Sequence, residues 1–285
     1  MNVSSGEKEH MKKTDFEKVL VCPVCKIALG GGLRCPSCRA RYKFEKGVYL
    51  LKAKKLSGGE FKWNKSLFRR NKFRATQVDY FARMNRETRL AQLAQSHALE
   101  IELLDLKGLT LDIATGLGGM LRRMLAARTK ATIVASDVDQ NMMARTARFM
   151  RRDFEGFFAV NADAKHLPFA DGICDCAAGY AALGNIPDTP AVLREIYRVL
   201  KPGGYFMDAT VLTAKNGPTH NFAKKELPQN ARALVAQFVR EDLRKAGFKK
   251  IEIREIAKAV WAENPCDILP VAGDTARYSI IKAWK

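Results

Sequence analysis

The sequence predicts an α/β fold: a doubly wound, mostly parallel, seven-stranded sheet preceded by a small cysteine-rich module. Three observations carry this. Strand-like and helix-like stretches alternate from residue 108 onward, two Cys-x2-Cys pairs stand near the start, and residues 110–121, "TLDIATGLGGML", run from an apolar strand pattern into a glycine turn. At 285 residues and 47% apolar content, the chain is long enough for one well-cored domain plus a smaller module. The division read from the pattern is 1–52 for the cysteine module, 53–107 for a basic helical linker or lid, and 108–285 for the main domain.

The first element is "VCPVCKIALGGGLRCPSCRARYKFEKGVYLL", with Cys22 and Cys25 in one pair and Cys35 and Cys38 in the other. Each Cys-Pro-x-Cys forms a tight knuckle that aims two thiolates at one point, so two knuckles supply four soft ligands in tetrahedral array. With no open position, the expected metal is a structural Zn2+; iron in a rubredoxin-like site is the alternative. The glycine-rich link at 29–33 lets the knuckles approach, and 41–44 with 48–51 read as a closing hairpin. Zinc would supply folding energy that so small a segment lacks in apolar core. Cys174, Cys176 and Cys266 are left over, which suits a reducing compartment. The polar first thirteen residues carry no secretory pattern and no apolar run reaches membrane-spanning length, so the expected location is cytoplasmic, without a membrane partner.

The second element is basic. The formal net charge is +19 with a sequence pI near 9.8, and residues 1–107 hold 23 of the 49 Lys and Arg against 11 of the 30 Asp and Glu. Residues 52–89 carry twelve basic and three acidic side chains interleaved with Phe61, Trp63, Phe68, Phe73, Tyr80 and Phe81. Cations for phosphates and aromatic faces for stacking make RNA a candidate partner of this N-terminal third. The competing reading is a linker into an amphipathic helix whose aromatics pack inward and whose charges are solvated.

The main domain follows. Helical periodicity over 75–107 ends at Gly108. Strands are read at 109–114, 131–136, 157–161, 173–180, 205–212, 250–260 and 278–284, and helices at 118–128, 140–151, 189–200 and 230–247. The last two strands lack an intervening helix and are expected to pair antiparallel at one edge.

The glycine turn excludes two common ligands. A phosphate-binding loop needs Gly-Lys and then Ser or Thr, whereas Gly118 is followed by Gly119, Met120 and Leu121. A dinucleotide fingerprint counted from Gly116 puts Leu121 where the third glycine belongs. Asp112, at the strand end, would repel a pyrophosphate and welcome an ammonium group. S-adenosylmethionine carries such an ammonium, and its ribose calls for an acid at the end of the next strand. Asp137, in "ATIVASDVDQNMM", stands there, 21 residues after Gly116.

Together "LDIATGLGG", "VASDVDQNMM", "NADAKHLPFADGICD" and "LREIYRVLKPGGYF" resemble, in order, the motifs of class I S-adenosylmethionine-dependent methyltransferases, over about residues 75–285. The resemblance implies a Rossmann-like methyltransferase fold and S-adenosyl-L-methionine as cofactor. It implies that Asp112, Ala114, Gly116 and Gly118 hold the methionine end and that Asp137, with Val138 beside it, meets the ribose. Asp163 and the Ala164 amide would meet the adenine, while Gly179 and Tyr180 would line the methyl pocket. Ala114 departs from the glycine common at its place. A zinc ribbon ahead of such a domain is similar to the ribosomal RNA guanine methyltransferases, although their second ligand pair often includes a histidine where this chain has Cys35 and Cys38.

The sulfonium methyl is already activated, so the expected enzyme chiefly aligns nucleophile, methyl and sulfur and excludes water. Tyr180 is the candidate for orienting an acceptor, and His166 the lesser candidate for a base. The sequence "GYAALGNIPD" lacks the Asp/Asn-Pro-Pro-aromatic signature, which disfavours adenine N6 methylation. Cys174 and Cys176 read as buried filler, and Cys266 lies away from the expected methyl site, so covalent pyrimidine methylation is disfavoured too. The preferred acceptor is RNA; the alternatives are a small-molecule methyltransferase and a non-catalytic cofactor-binding scaffold.

Overall fold

A computed structural model of the chain describes residues 11–53, 84–262 and 269–285. Phe61, Trp63, Phe68, Phe73, Tyr80 and Phe81 of the basic segment, the predicted helical residues 75–83, and Pro265 and Cys266 lie outside them.

Nine strands form one sheet: β1 (Lys43–Glu45), β2 (Val48–Leu50), β3 (Leu109–Ile113), β4 (Thr132–Asp137), β5 (Phe157–Asn161), β6 (Cys174–Tyr180), β7 (Leu200–Leu212), β8 (Lys250–Val260) and β9 (Thr275–Trp284). The spatial order is β1-β2-β5-β4-β3-β6-β7-β9-β8. From β2 to β7 every neighbouring pair is parallel, and β9 runs antiparallel to both β7 and β8, as the helix-free connection predicts. The order reverses between β3 and β6, which opens a crevice at the carboxyl ends of those two strands.

The helices are α1 (Lys13–Lys18), α2 (Arg86–Leu103), α3 (Gly119–Ala126), α4 (Gln140–Met150), α5 (Ala182–Asn185), α6 (Thr189–Val199), α7 (Pro218–Glu226) and α8 (Ala236–Ala246). Strand side chains alternate between two cores. Leu109, Leu111 and Ile113 of β3 face Val192, Leu193 and Ile196 of α6 and Val239 and Leu243 of α8. Ile133 and Ala135 of β4 face Leu99 and Leu103 of α2, Met120 and Met124 of α3, and Met143 and Met150 of α4. Helix α2 starts on an Asn85 cap, whose side chain accepts the Thr88 amide at 2.7 Å. It is pinned to the sheet by buried Gln95, which donates to the carbonyls of Thr210 and Ser279.

The sheet therefore has nine strands rather than the predicted seven. The hairpin of the cysteine module, β1 and β2, continues the main sheet at the free edge of β5, with Tyr49 beside Val160 and Leu50 beside Asn161. Phe16 stacks on Phe158 at 3.9 Å and meets Tyr49 edge-on at 5.3 Å, and the Tyr49 hydroxyl donates to Glu17. Leu20, Tyr49 and Leu51 are buried in the same core as Leu111 and Val160. The module thus draws apolar burial from the main domain as well as whatever a metal supplies.

Two further differences concern helices. The predicted 230–247 helix divides into a 3-10 turn, Ala231–Leu234, and α8, with Val235 extended between them. Helix α7 is not among the helices read from the pattern; Pro218 stands at its first position, where a missing amide hydrogen costs nothing.

Candidate functional site: an acid-led glycine turn at the sheet switch point

The predicted cofactor residues converge on the carboxyl ends of four neighbouring strands. Asp112 and Ile113 end β3, Asp137 ends β4 with Val138 following, Asp163 and Ala164 follow β5, and Gly179 and Tyr180 end β6. In register, Ile113 lies between Ser136 and Gly179, and Asp137 pairs with Asn161.

Asp112 is fully buried under the turn that follows it. Its Oδ2 accepts the Thr115 hydroxyl at 2.8 Å, while its Oδ1 is buried without a hydrogen-bond partner among the described residues. Burial pushes its carboxyl up to about 8; the Thr115 bond and the nearby Leu121 amide oppose the rise, and the Asp137 charge adds to it. Such an oxygen is costly until a cation or donor reaches it.

The turn is held from three sides. Asp137 Oδ2 accepts the Gly116 amide at 2.8 Å, the Thr146 hydroxyl donates to the Gly116 carbonyl at 2.6 Å, and Ser136 donates to the Asp112 carbonyl at 3.1 Å. Gly118 caps α3 at φ 82, a left-handed backbone that favours glycine, and a Cβ there would also stand 2.9 Å from the branched side chain of Thr146. Ala114 occupies the left-handed region at φ 51, where the departure from glycine carries backbone strain.

Asp137 is buried, and burial raises its carboxyl above the usual range despite the Asp139 and Gly116 amides. Each of its oxygens accepts one amide, Gly116 on Oδ2 and Asp139 on Oδ1, and each retains a lone pair for a hydroxyl. Asn161 braces this strand end by donating to the carbonyls of Asp137 and Val138. Asp163 caps the 3-10 turn Ala164–His166 through Oδ1, while its buried Oδ2 makes no hydrogen bond and lies 3.8 Å from Lys165 Nζ. The His166 amide donates to the Asp163 carbonyl.

On the β6 side, a Cβ on Gly179 would meet Ala182 at 2.5 Å and Asp208 at 2.9 Å, so close packing requires this glycine. Tyr180 accepts from the Gln92 amide at 3.4 Å and lies under the Arg123 guanidinium, 5.3 Å from its ring. Buried Asp208 accepts the Ala182 and Leu183 amides and holds the segment after Tyr180; burial pushes its carboxyl up to about 6 against those bonds. Cys174 and Cys176 are buried, and burial drives both thiols upward, Cys176 to about 12, which suits packing rather than nucleophilic chemistry.

Sequence reasoning missed Thr115, Thr146, Asn161 and Asp208. No local sequence signal marks their roles, because each acts on a segment that only the fold brings near or on the turn it helps to close. A cleft of about 350 Å3 lined by Pro190, Arg194, Arg232 and Asp242 shares no residue with this site.

The four cysteines form a second centre. Their sulfurs all lie within 4.8 Å of one another, with Cys22 and Cys38 3.7 Å apart. A thiolate tetrahedron with metal–sulfur bonds of about 2.3 Å has edges of about 3.8 Å, so the donors fit a zinc-sized ion. The knuckles share one backbone form. The Lys26 amide donates to the Cys22 carbonyl and the Arg39 amide to the Cys35 carbonyl, with Lys26 and Arg39 left-handed at φ 57 and 61. The Tyr42 hydroxyl lies 3.3 Å from Cys22 Sγ. Among the described residues, no helix is long and apolar enough to cross a membrane.

This sheet order, with an acid-led glycine turn at the switch point and a second acid at the next strand end, defines the class I methyltransferase fold. Residues 111–207 match the family model described as a methyltransferase domain. Among curated relatives, the ubiquinone/menaquinone biosynthesis C-methyltransferase UbiE of Desulfotalea psychrophila is 36% identical over 97 residues, 34% of this chain and 39% of that one. The chain spans less than half the length of the curated relatives it matches. A solved structure of Haemonchus contortus phosphoethanolamine N-methyltransferase 2 with S-adenosyl-L-methionine is similar at TM-score 0.56 and 18% identity, over 80% of this chain and 60% of that one. The cyclase SpnF is similar at TM-score 0.52 and 24% identity, over 67% of this chain and 80% of that one. These likenesses establish the fold.

Proposed function

We propose that this protein is an S-adenosyl-L-methionine-dependent methyltransferase with a structural zinc centre in its N-terminal module. The observation that carries the reading is Asp112, a buried carboxylate with an unpartnered oxygen beneath a glycine turn at the sheet switch point. Ionised once its proton is displaced, it biases the space above the turn toward a cation, as the cofactor's ammonium requires. Asp137 would meet the ribose hydroxyls, and Asp163 Oδ2, which makes no hydrogen bond, would accept the adenine amine beside the Ala164 amide. The bound cofactor supplies an activated methyl group. The chain's part is to align an acceptor beside Gly179 and Tyr180 and to exclude water.

Two acceptor classes remain in competition. A small-molecule acceptor is supported by relatives named for ubiquinone and menaquinone C-methylation. An RNA acceptor is supported by the basic first 107 residues and their interleaved aromatics. The test is transfer of labelled methyl from the cofactor into a cell extract, fractionated into RNA, protein and small molecules. Label in RNA that falls steeply with salt selects RNA. Label in the metabolite fraction, unchanged by RNase, selects a small molecule. Cofactor binding with no label in any fraction overturns the enzyme reading in favour of a scaffold.

A further inference from the structure

The cysteine module does more than abut the main domain. It clamps the segment that carries the adenine-side residues. Asp163 and the 3-10 turn Ala164–His166 lead directly into Leu167, and both backbone polar groups of Leu167 are held by one charged cluster. The Leu167 amide donates to Glu195 Oε2 at 2.8 Å, and its carbonyl accepts from Lys26 Nζ at 3.1 Å and Arg198 Nη2 at 3.0 Å. Lys26 Nζ also donates to Glu195 Oε2 at 2.7 Å, and Arg198 forks onto Glu195 while reaching the Phe169 carbonyl and Asp171. Backbone bonds fix the same segment to the module: the Val21 amide to the Pro168 carbonyl, and the Ala170 amide to the Val19 carbonyl.

Lys26 is the residue immediately after the second ligand of the first knuckle. Its left-handed backbone and its amide bond to Cys22 belong to the knuckle itself. Arg39 holds the equivalent place in the second knuckle with the same backbone, yet it is exposed and its side chain makes no hydrogen bond or ion pair among the described residues. The two knuckles are alike in backbone and unlike in what they touch.

We propose that Lys26 is a positioning residue of the cofactor site, so that the four-cysteine centre and the cofactor site, both as read above, are energetically linked through the Lys26–Leu167–Glu195 contact. A filled centre fixes the Cys22–Lys26 turn and the reach of the ammonium; that ammonium fixes Leu167 and with it the turn bearing Asp163 and Ala164. Emptying the centre frees the knuckle, and the cofactor must then order the turn at the expense of its own affinity. Linkage is reciprocal, so the cofactor must tighten metal binding by the same factor.

The test uses the full chain with S-adenosylhomocysteine as probe, titrated by calorimetry with the zinc-loaded and the chelator-stripped protein. Expected is an affinity lower by about fivefold or more without zinc, and a matching rise in zinc affinity at saturating probe. Zinc-loaded Lys26→Met, which keeps the aliphatic stem and the backbone demand, should bind the probe more weakly at unchanged zinc content, and its affinity should no longer respond to zinc. Arg39→Met should behave as the wild type in both respects. Equal wild-type affinity with and without zinc overturns the proposal. So does a zinc-loaded Lys26→Met protein with wild-type affinity, a result that needs no stripped protein and is independent of whether stripping unfolds the module. Failure of every form to bind the probe overturns the cofactor reading itself and this proposal with it, and is distinguishable because the metal alone then still binds.

Discussion

The Oδ2 atom of Asp137, at the end of β4, accepts the Gly116 amide at 2.8 Å across 21 residues of chain. The acid placed by the sequence on the ribose also ties down the turn that would hold the methionine end. Asp137→Ala should therefore act twice. It orphans the Gly116 and Asp139 amides, a loss of about 2 kcal/mol of stability, and it lowers cofactor affinity. Thermal denaturation and calorimetry on the same preparation check this; a variant that loses affinity at unchanged melting temperature would show that the tie to Gly116 contributes nothing to the fold.

Asp112 predicts a pH dependence. Burial raises its folded carboxyl to about 8, from an ordinary value of 3.8. The folded state holds this proton more tightly than the unfolded chain, so its contribution to the stability of the cofactor-free protein declines as pH rises from about 4 to 8. Binding of a cation must expel the proton, so affinity should fall as pH drops from about 7 to about 6, a window below the ordinary range of an α-amino group, about 7.7 to 8, in which the cofactor's ammonium stays largely charged. Asp112→Asn should weaken binding about tenfold near neutrality, since one pKa unit of coupling is tenfold, and should flatten this pH profile. Zinc content should not change. An unaltered profile in the variant would assign the proton to another group, Asp137 first.

Ala114 carries a cost that glycine would not. At φ 51 its Cβ crowds the following carbonyl, and Ala114→Gly should raise stability by about 1 kcal/mol. Cofactor affinity should be retained, because the backbone already adopts the turn. Chemical denaturation of the two proteins side by side measures the difference.

The β2–β5 pairing bears on truncation. A chain starting at residue 54 loses Phe16, Leu20, Tyr49 and Leu51 from the main core, leaves β5 as a bare edge and uncovers its Phe158. It should be poorly soluble or should associate through that edge. A monomeric, cooperatively melting truncation, judged by light scattering and calorimetry, would show the module to be an independent appendage.

Much of the candidate site's layout was legible because its signals are local. A carboxylate before a glycine turn, an acid closing the next strand and another capping the turn after the third each follow from a few neighbouring residues. The two Cys-Pro-x-Cys knuckles follow the same rule. Asp208 and Asn161 were illegible for the opposite reason. Nothing in "YFMDATVL" says that Asp208 will hold the amides of Ala182 and Leu183, or in "AVNADA" that Asn161 will brace Asp137.

By itself the sequence determined the alternation of strands and helices, the chemistry of the glycine turn and the four-thiolate set, since periodicity, sterics and ligand spacing act over one turn or one strand. Only the tertiary structure decided that the cysteine module joins the sheet as two further strands and that Lys26 reaches Leu167, 141 residues away. A parallel strand pair and a partly buried ion cluster are made by contacts between segments distant in sequence. Their free energy comes from shared apolar burial and from charge attraction set against the cost of desolvation, which no short window of sequence encodes.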